Sequence, residues 1–304
     1  MEYANIIYTV NEGIATIKLN RPKALNALNS EINADIMAAI NEVKADPSVR
    51  VLIVTGSERA FAPGADVKEM AEATPRYARE FCGLAIDINN ELESLSVPTI
   101  AAVGGFAFGG GCEMTLACDF RVGGPRTTLS FPEVGLGIIP GANGCARATA
   151  IVGPAKAKQL VMLTEMIPGK QAYDLGLLNW YVEGPADLNA AAAEAKKAFK
   201  AAKQTCAANL EELKAANKAA EAAAAQAEYD AIYAKAVYVA KQLMAKPGCA
   251  LAAAKAAINK AAIETVAAGT AAETTEVTLL VYSHDLKEGM AAMIEKRAAV
   301  FTNN

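Results

Sequence analysis

The chain has 304 residues, room for one large α/β core or two domains. Apolar residues make up 53% of it and charged residues 20%, which excludes a disordered chain. The formal net charge of −4 offers no basic face for gripping nucleic acid through its phosphates, and the expectation is a protein with no nucleic-acid partner.

The opening residues, MEYANIIYTV, carry neither the basic-then-apolar pattern of a secretory signal nor the arginine-rich character of a transit peptide. No window of eighteen or more residues is apolar and charge-free enough to span a membrane, so a cytoplasmic protein is expected. Residues 5–20 read as two short strands around the turn Asn11-Glu12-Gly13, the second alternating apolar and polar side chains from Ile14 to Leu19. Residues 29–46 read as a helix with Ser30 as N-cap and Ile32, Ile36, Ile40 and Val43 on one face. Val51 to Thr55 is a continuous apolar strand of the kind buried on both faces. A loop through Phe61–Asp66 and a helix over 75–95 follow. Thr99 to Val103 is a second buried strand, Gly104 to Gly111 a glycine-rich turn, and 112–118 a short helix. Strand and helix alternate, which predicts an α/β architecture.

The second half differs. No glycine or proline falls between Pro185 and Pro247, and 190–227 is dominated by alanine, the best helix former. One straight helix over 187–246 would run about 90 Å, too long for a compact domain. A hairpin broken near Gln204–Asn209 is expected instead, with Phe199, Cys206 and Leu213 forming a thin apolar seam. The insert either pads the surface or serves as an oligomer contact.

Three segments carry candidate chemistry. Phe61-Ala62-Pro63-Gly64-Ala65-Asp66 is a strand-to-helix turn of small residues that lets a ligand approach the backbone. Gly104–Glu113 brings three glycines to the start of a helix after a buried strand, where free N–H groups attract negative charge. Phe131–Gly141 sets Glu133 in an apolar, glycine-rich loop. A dinucleotide-binding G-x-G-x-x-G is not matched between Gly104 and Gly111. The six cysteines include no CxxC pair and read as reduced thiols, and His284 is the single histidine, so no zinc site or Ser-His-Asp machinery is expected.

Taken together, these segments resemble the crotonase superfamily of enoyl-CoA hydratases and isomerases, most closely a short-chain enoyl-CoA hydratase. The resemblance extends to Leu19-Asn20-Arg21-Pro22-Lys23-Ala24-Leu25-Asn26-Ala27-Leu28, to Cys118-Asp119, to Ser283–Met290 and to Glu295-Lys296-Arg297. It implies a spiral core of repeated ββα turns over residues 1–185 and an alanine-rich helical insert over 186–230. A helical oligomerisation region over 231–304 would then build a homotrimer or a dimer of trimers. It also implies roles. Glu113 and Glu133 would be the catalytic acid/base pair, Glu113 activating water and Glu133 exchanging the α-proton. Ala65 and Gly110 would supply the backbone N–H groups of the oxyanion hole. Lys23, Ala24, Leu25, Ala62, Asp66, Val67 and Lys296 would bind coenzyme A, which is part of the substrate, so no separate cofactor and no metal are expected. With both glutamate positions filled, the resemblance favours reversible syn hydration of a trans-2-enoyl-CoA. Isomerisation, action on dienoyl or hydroxylated acyl chains, and an RNA-binding or scaffold role are the alternatives. The segment Gly141-Ala142-Asn143-Gly144-Cys145-Ala146-Arg147 departs from the family's usual glycine pair and Thr-Gln-Arg, and Met293 stands where an aromatic is frequent.

Overall fold

The computed structural model describes all residues except 1, 72, 206–208, 264–274, 276–279, 281–282 and 303–304. The chain opens with an antiparallel hairpin, β1 (Ile6–Asn11) and β2 (Ile14–Leu19), whose turn contains the positive-φ pair Glu12 and Gly13. Helix α1 (Ser30–Ala45) follows, and a repeating pattern begins. The first repeat is β3 (Val51–Thr55), β4 (Ala60–Ala62) and the helices α2 (Val67–Ala71) and α3 (Pro75–Ser94). The second is β5 (Thr99–Ala102), β6 (Phe106–Phe108) and α4 (Gly110–Ala117). The third is β7 (Phe120–Gly123), β8 (Thr128–Ser130) and α5 (Gly144–Met162), with a 3-10 turn over Glu133–Leu136 between strand and helix. Then come β9 (Ile167–Pro168), α6 (Gly169–Asp174) and β10 (Trp180–Tyr181).

Each repeat adds one strand to each of two sheets. The larger runs β1-β2-β3-β5-β7-β10, parallel from β2 onward; the smaller runs β4-β6-β8-β9, parallel until β9 turns antiparallel. This is the ββα spiral the resemblance implied. The VLIVT run of β3 is fully buried because helices cover both faces of the larger sheet. Ile17, Leu52, Val54 and Ala101 face the main core with Ile32, Ile36 and Ile40 of α1.

Two local readings need correcting. Asn29, not Ser30, caps α1: its extended backbone lets the side-chain Oδ1 accept from the N–H of Ile32 at 3.1 Å. Ser30 is already helical, and its hydroxyl meets the Tyr77 hydroxyl at 2.9 Å instead. The glycine-rich run 104–111 is not all turn, because Phe106–Phe108 forms β6 within it. Gly105 makes this possible: at φ +59°, a Cβ there would lie 1.9 Å from the Arg59 carbonyl oxygen, so only glycine lets the two repeats close.

The alanine-rich segment forms two helices packed side by side, α7 (Ala186–Thr205) and α8 (Leu210–Met244). Of the proposed seam, Cys206 lies outside the described residues. Helix α8 runs unbroken through residue 230, and its two halves differ. Residues 211–223 are largely exposed, whereas Ile232, Ala236, Val239 and Ala240 recur at helical spacing and pack on Ile14, Val51, Ile53, Ile100 and Val122. Polar contacts fix this docking. Tyr233 and Thr16 share a hydroxyl contact of 3.0 Å, Tyr229 donates to the Gly56 carbonyl at 3.2 Å, and buried Glu228 accepts from the Arg126 main-chain N–H and guanidinium. Helices α9 (Gly248–Ile263) and α10 (His284–Glu295) follow, and Lys255 of α9 pairs with Asp119 at 2.8 Å. Among the described residues no helix is long and apolar enough to cross a membrane.

Because Ile232 is fully buried between α8 and the sheet, Ile232→Ala is expected to lower unfolding free energy by about 2–5 kcal/mol. Substitutions at the exposed positions 215, 216, 218 and 219 should stay within about 0.5 kcal/mol, as read from urea melts of the two sets.

Candidate active site

The ends of the second and third repeats and the loop after β4 meet at one cavity of about 180 Å³. Glu113 enters it from the first turn of α4, and Glu133 from the 3-10 turn after β8. Ala65, Gly110 and Val67 line it too, from the loop after β4, the start of α4 and the start of α2. The structure therefore brings together all four residues expected to be catalytic. Gly109, at φ +50°, is what lets Glu133 approach, since a Cβ there would sit 2.9 Å from Glu133 Oε1.

The two carboxyl groups are held differently. Glu113 is 2% exposed, and its Oε1 accepts from the main-chain N–H of Ala142 and of Gly144, both at 2.8 Å. Burial raises its proton affinity above the ordinary glutamate value, and those two amides and the nearby Arg147 guanidinium offset that rise only in part. Glu133 has less support. Its Oε2 is buried with no hydrogen-bond partner among the described residues. Burial, opposed by its own N–H and reinforced by the charge of Glu113, raises it to about 7. Glu113 thus has three partners that favour its charged form, whereas Glu133 has little support for charge and holds its proton up to about 7.

The amide clamp on Glu113 is itself braced. The Ala142 carbonyl accepts from Asn89 Nδ2 at 2.9 Å and from Arg147 at 3.4 Å, and Arg147 is anchored by Glu93 at 2.9 Å and Asn90 at 3.0 Å. Asn143 turns the chain in the left-handed region at φ 69°, and Gly144 has no room for a side chain, since a Cβ would fall 2.7 Å from Glu113 Oε1. These are residues that sequence reasoning missed. The Asn143-Gly144 pair signals a turn, but nothing in side-chain types tells where its amides point. The departing segment 141–147 does border the cavity, through Gly141 and Ala142.

The loop bearing Ala65 is held by the Asn20–Leu28 motif. Leu28 donates to the Gly64 carbonyl and accepts from the Asp66 N–H, both at 2.8 Å, an isolated parallel bridge that turns the N–H of Ala65 to the side away from Leu28. Gly110 is the first residue of α4, so its N–H has no acceptor within its helix. Asn26 donates to the carbonyls of Ala60 and Phe61 at 3.1 and 3.2 Å, and Arg21 pairs with Asp66 at 3.2 Å.

The residues expected to hold coenzyme A are more dispersed. Lys23 and Ala24 lie in the 3-10 turn Pro22–Ala24, with Lys23 exposed and Leu25 closing the turn at φ 52°. Ala62 is fully buried in β4, Asp66 holds Arg21, and Val67 is exposed at the rim. Lys296 is the exposed C-cap of α10, and it does not line the cavity. His284 is exposed near Thr302, outside the cavity.

Comparison with known proteins agrees with this geometry. A family described as "Enoyl-CoA hydratase/isomerase" matches residues 9–234. A crotonyl-CoA hydratase of Syntrophomonas wolfei is 43% identical over 184 residues, covering 60% of this chain and 71% of that protein. A short-chain-enoyl-CoA hydratase of Clostridium acetobutylicum is 41% identical over 198 residues, covering 65% and 76%. The crystal structure of an enoyl-CoA hydratase from Bacillus anthracis superposes with a TM-score of 0.79 at 26% identity, covering 99% of this chain and 100% of that one.

The raised proton affinity of Glu133 has a stability consequence of definite sign. Below the ordinary glutamate value of 4.5 the group is protonated in folded and unfolded chains alike. Between about 4.5 and 7 the unfolded chain ionises the group while the folded protein keeps its proton, so stability falls, and the fall ends once the folded group also ionises above about 7. Glu133→Gln does not titrate. Its unfolding free energy relative to the parent, and with it the melting temperature, should therefore climb between about pH 4.5 and 7 and level off above, by up to about 3 kcal/mol less what solvent at the mouth screens. Thermal melts across pH 4 to 9 check this; a constant gap would contradict it.

Proposed function

Because this chain belongs to the enoyl-CoA hydratase/isomerase family and is an enoyl-CoA hydratase, a lyase of the hydratase type, we propose that it reversibly adds water across the double bond of a short trans-2-enoyl-CoA. The observation that carries this reading is the convergence of Glu113 and Glu133 on one cavity beside the backbone of Ala65 and Gly110.

In the hydration direction ionised Glu113 takes a proton from water as its oxygen attacks the β-carbon. The double-bond electrons move toward the thioester, whose oxygen gains charge. The N–H groups of Ala65 and Gly110 meet that charge, and donors preorganised in this way are worth about 3–4 kcal/mol each. Protonated Glu133 then delivers its proton to the α-carbon, on the face from which water added. The reverse path runs through the same singly protonated pair, with the proton on Glu113 instead. Two features support this assignment: the amide clamp that favours charge on Glu113, and the unpartnered Oε2 of Glu133. An isomerase needs only one such acid/base.

Coenzyme A enters as part of the substrate, and no resident cofactor belongs to the proposal. Its nucleotide end would lie along Lys23, Ala24 and Leu25 and the loop Ala62, Asp66 and Val67. Lys23 and Lys296 would face its phosphates, Lys296 from a neighbouring subunit of a trimer or dimer of trimers in the cytoplasm. The names of the relatives, crotonyl-CoA hydratase and short-chain-enoyl-CoA hydratase, support a short acyl chain.

Glu113→Gln and Glu133→Gln should each lower kcat for crotonyl-CoA by orders of magnitude, about 10²–10⁴-fold for loss of a positioned acid or base, with little change in the affinity for an unreactive CoA thioester. Near-normal turnover by both variants would sink the assignment. Since the active form carries one proton on the pair, kcat/KM should fall toward tenfold per pH unit above about 7, in hydration and dehydration alike. Initial rates in both directions across pH 5 to 9 test this.

A further inference from the structure

The two amides that hold Glu113 flank a third peptide unit, and a side chain holds that unit in turn. Glu113 Oε1 accepts from the N–H groups of Ala142 and Gly144, while the carbonyl between them, that of Ala142, accepts from Asn89 Nδ2 at 2.9 Å. Asn89 stands on α3, is 2% exposed and lines the cavity with Glu113. The turn it grips carries backbone strain. Asn143, a residue with a side chain, sits at φ 69°, and rotation of the 142–143 peptide is the local route out of that left-handed state. Such a rotation takes the Ala142 carbonyl off Asn89 and re-aims the N–H groups on either side. Other contacts on the turn are longer: Asn143 Nδ2 donates to Asn90 Oδ1 at 3.3 Å, and Arg147 reaches the Ala142 carbonyl at 3.4 Å.

We propose that Asn89 is a positioning residue for the base: its grip on the Ala142 carbonyl keeps both amides aimed at Glu113 and so keeps that carboxylate charged. The inference rests on the hydratase reading above. Asn89 is neutral, so it acts through the direction of the backbone and adds no charge of its own. Arg147 differs, since its guanidinium lowers the proton affinity of Glu113 directly. The other groups that face Glu113 are Glu133 from the 3-10 turn, Cys82 from α3, Cys112 from its own helix and Cys145 from α5, and Glu93 of α3 stands behind Arg147. Burial holds all three thiols above the ordinary cysteine value, so they add no charge below pH 8.

The test is the pH profile of kcat/KM for but-2-enoyl-CoA from pH 4 to 8 in the parent and in Asn89→Leu, which keeps the bulk and removes the donor. With both glutamates protonated the site is inactive, so the acid limb marks the first proton lost from the pair, the one the clamp assigns to Glu113. Weaker amide contacts raise the proton affinity of Glu113, and the acid limb of Asn89→Leu should move up by about half to one pH unit. The variant's deficit should then be about three- to tenfold greater on the acid side than near neutrality, with the alkaline limb moved less. The loss should fall on kcat, with KM and the affinity for an unreactive CoA thioester within about threefold of the parent. Asn89→Ala removes the same donor and carries the same expectation should the leucine variant not fold. A folded variant whose profile keeps the parent's shape, at full rate or lowered evenly at every pH, overturns the positioning role and leaves the hydratase reading intact. A parent inactive on every enoyl-CoA overturns both.

Discussion

The acceptance of two main-chain amides by a single carboxylate oxygen is the constraint around which this site is organised. Glu113 is nearly inaccessible in an apolar wall, where an unsupported negative charge would revert to the neutral acid. The N–H groups of Ala142 and Gly144 make the charged form tenable. Their direction depends on a left-handed Asn143, on a residue at 144 with no side chain, and on Arg147, Asn89 and Glu93 holding the far side of the turn. Those groups come from α3 and α5, so the packing of two repeats is tied to the protonation state of one oxygen. Glu133 has no comparable clamp, and the asymmetry of the pair follows from that difference.

Much of the fold was legible because its signals are local. The buried runs Val51–Thr55 and Thr99–Ala102, the alternation in Ile14–Leu19 and the alanine-rich helices each announce themselves within a few residues. What stayed hidden depends on backbone direction or distant partners. The β6 strand is three residues long inside a glycine-rich run, too short for any period to register. Asn29 and Ser30 are both good caps, and only the extended backbone at 29 decides between them. The alanine content of α8 masks the face that covers the sheet, since Ala224, Ala236 and Ala240 look the same whether buried or exposed.

The site divides in the same way. Glu113, Glu133 and the glycines around 109–111 stood out as residue types, and they do meet. The proposed oxyanion donors are backbone groups of an alanine and a glycine, which no side-chain chemistry reveals; the resemblance alone pointed to them. The Asn20–Leu28 motif was read for ligand contact, and the structure adds a mechanical part. Leu28, Asn26 and Arg21 grip the loop from Ala60 to Asp66 and orient the amide of Ala65.

The docking of α8 on the larger sheet also bears on how the protein is made. The face it covers is built from strands that end with β10 at Tyr181, yet the side chains that close it, from Glu228 to Ala240, leave the ribosome only after all of those strands. The Thr16–Tyr233 contact spans 217 positions, roughly 10–40 s of synthesis at about 5–20 residues per second. From the synthesis of Val122 until that of Ile232, the side chains of Ile14, Val51, Ile53, Ile100 and Val122 have no α8 to cover them. The alanine-rich insert lengthens that exposure, because α7 and the outer half of α8 must be translated before the covering segment arrives.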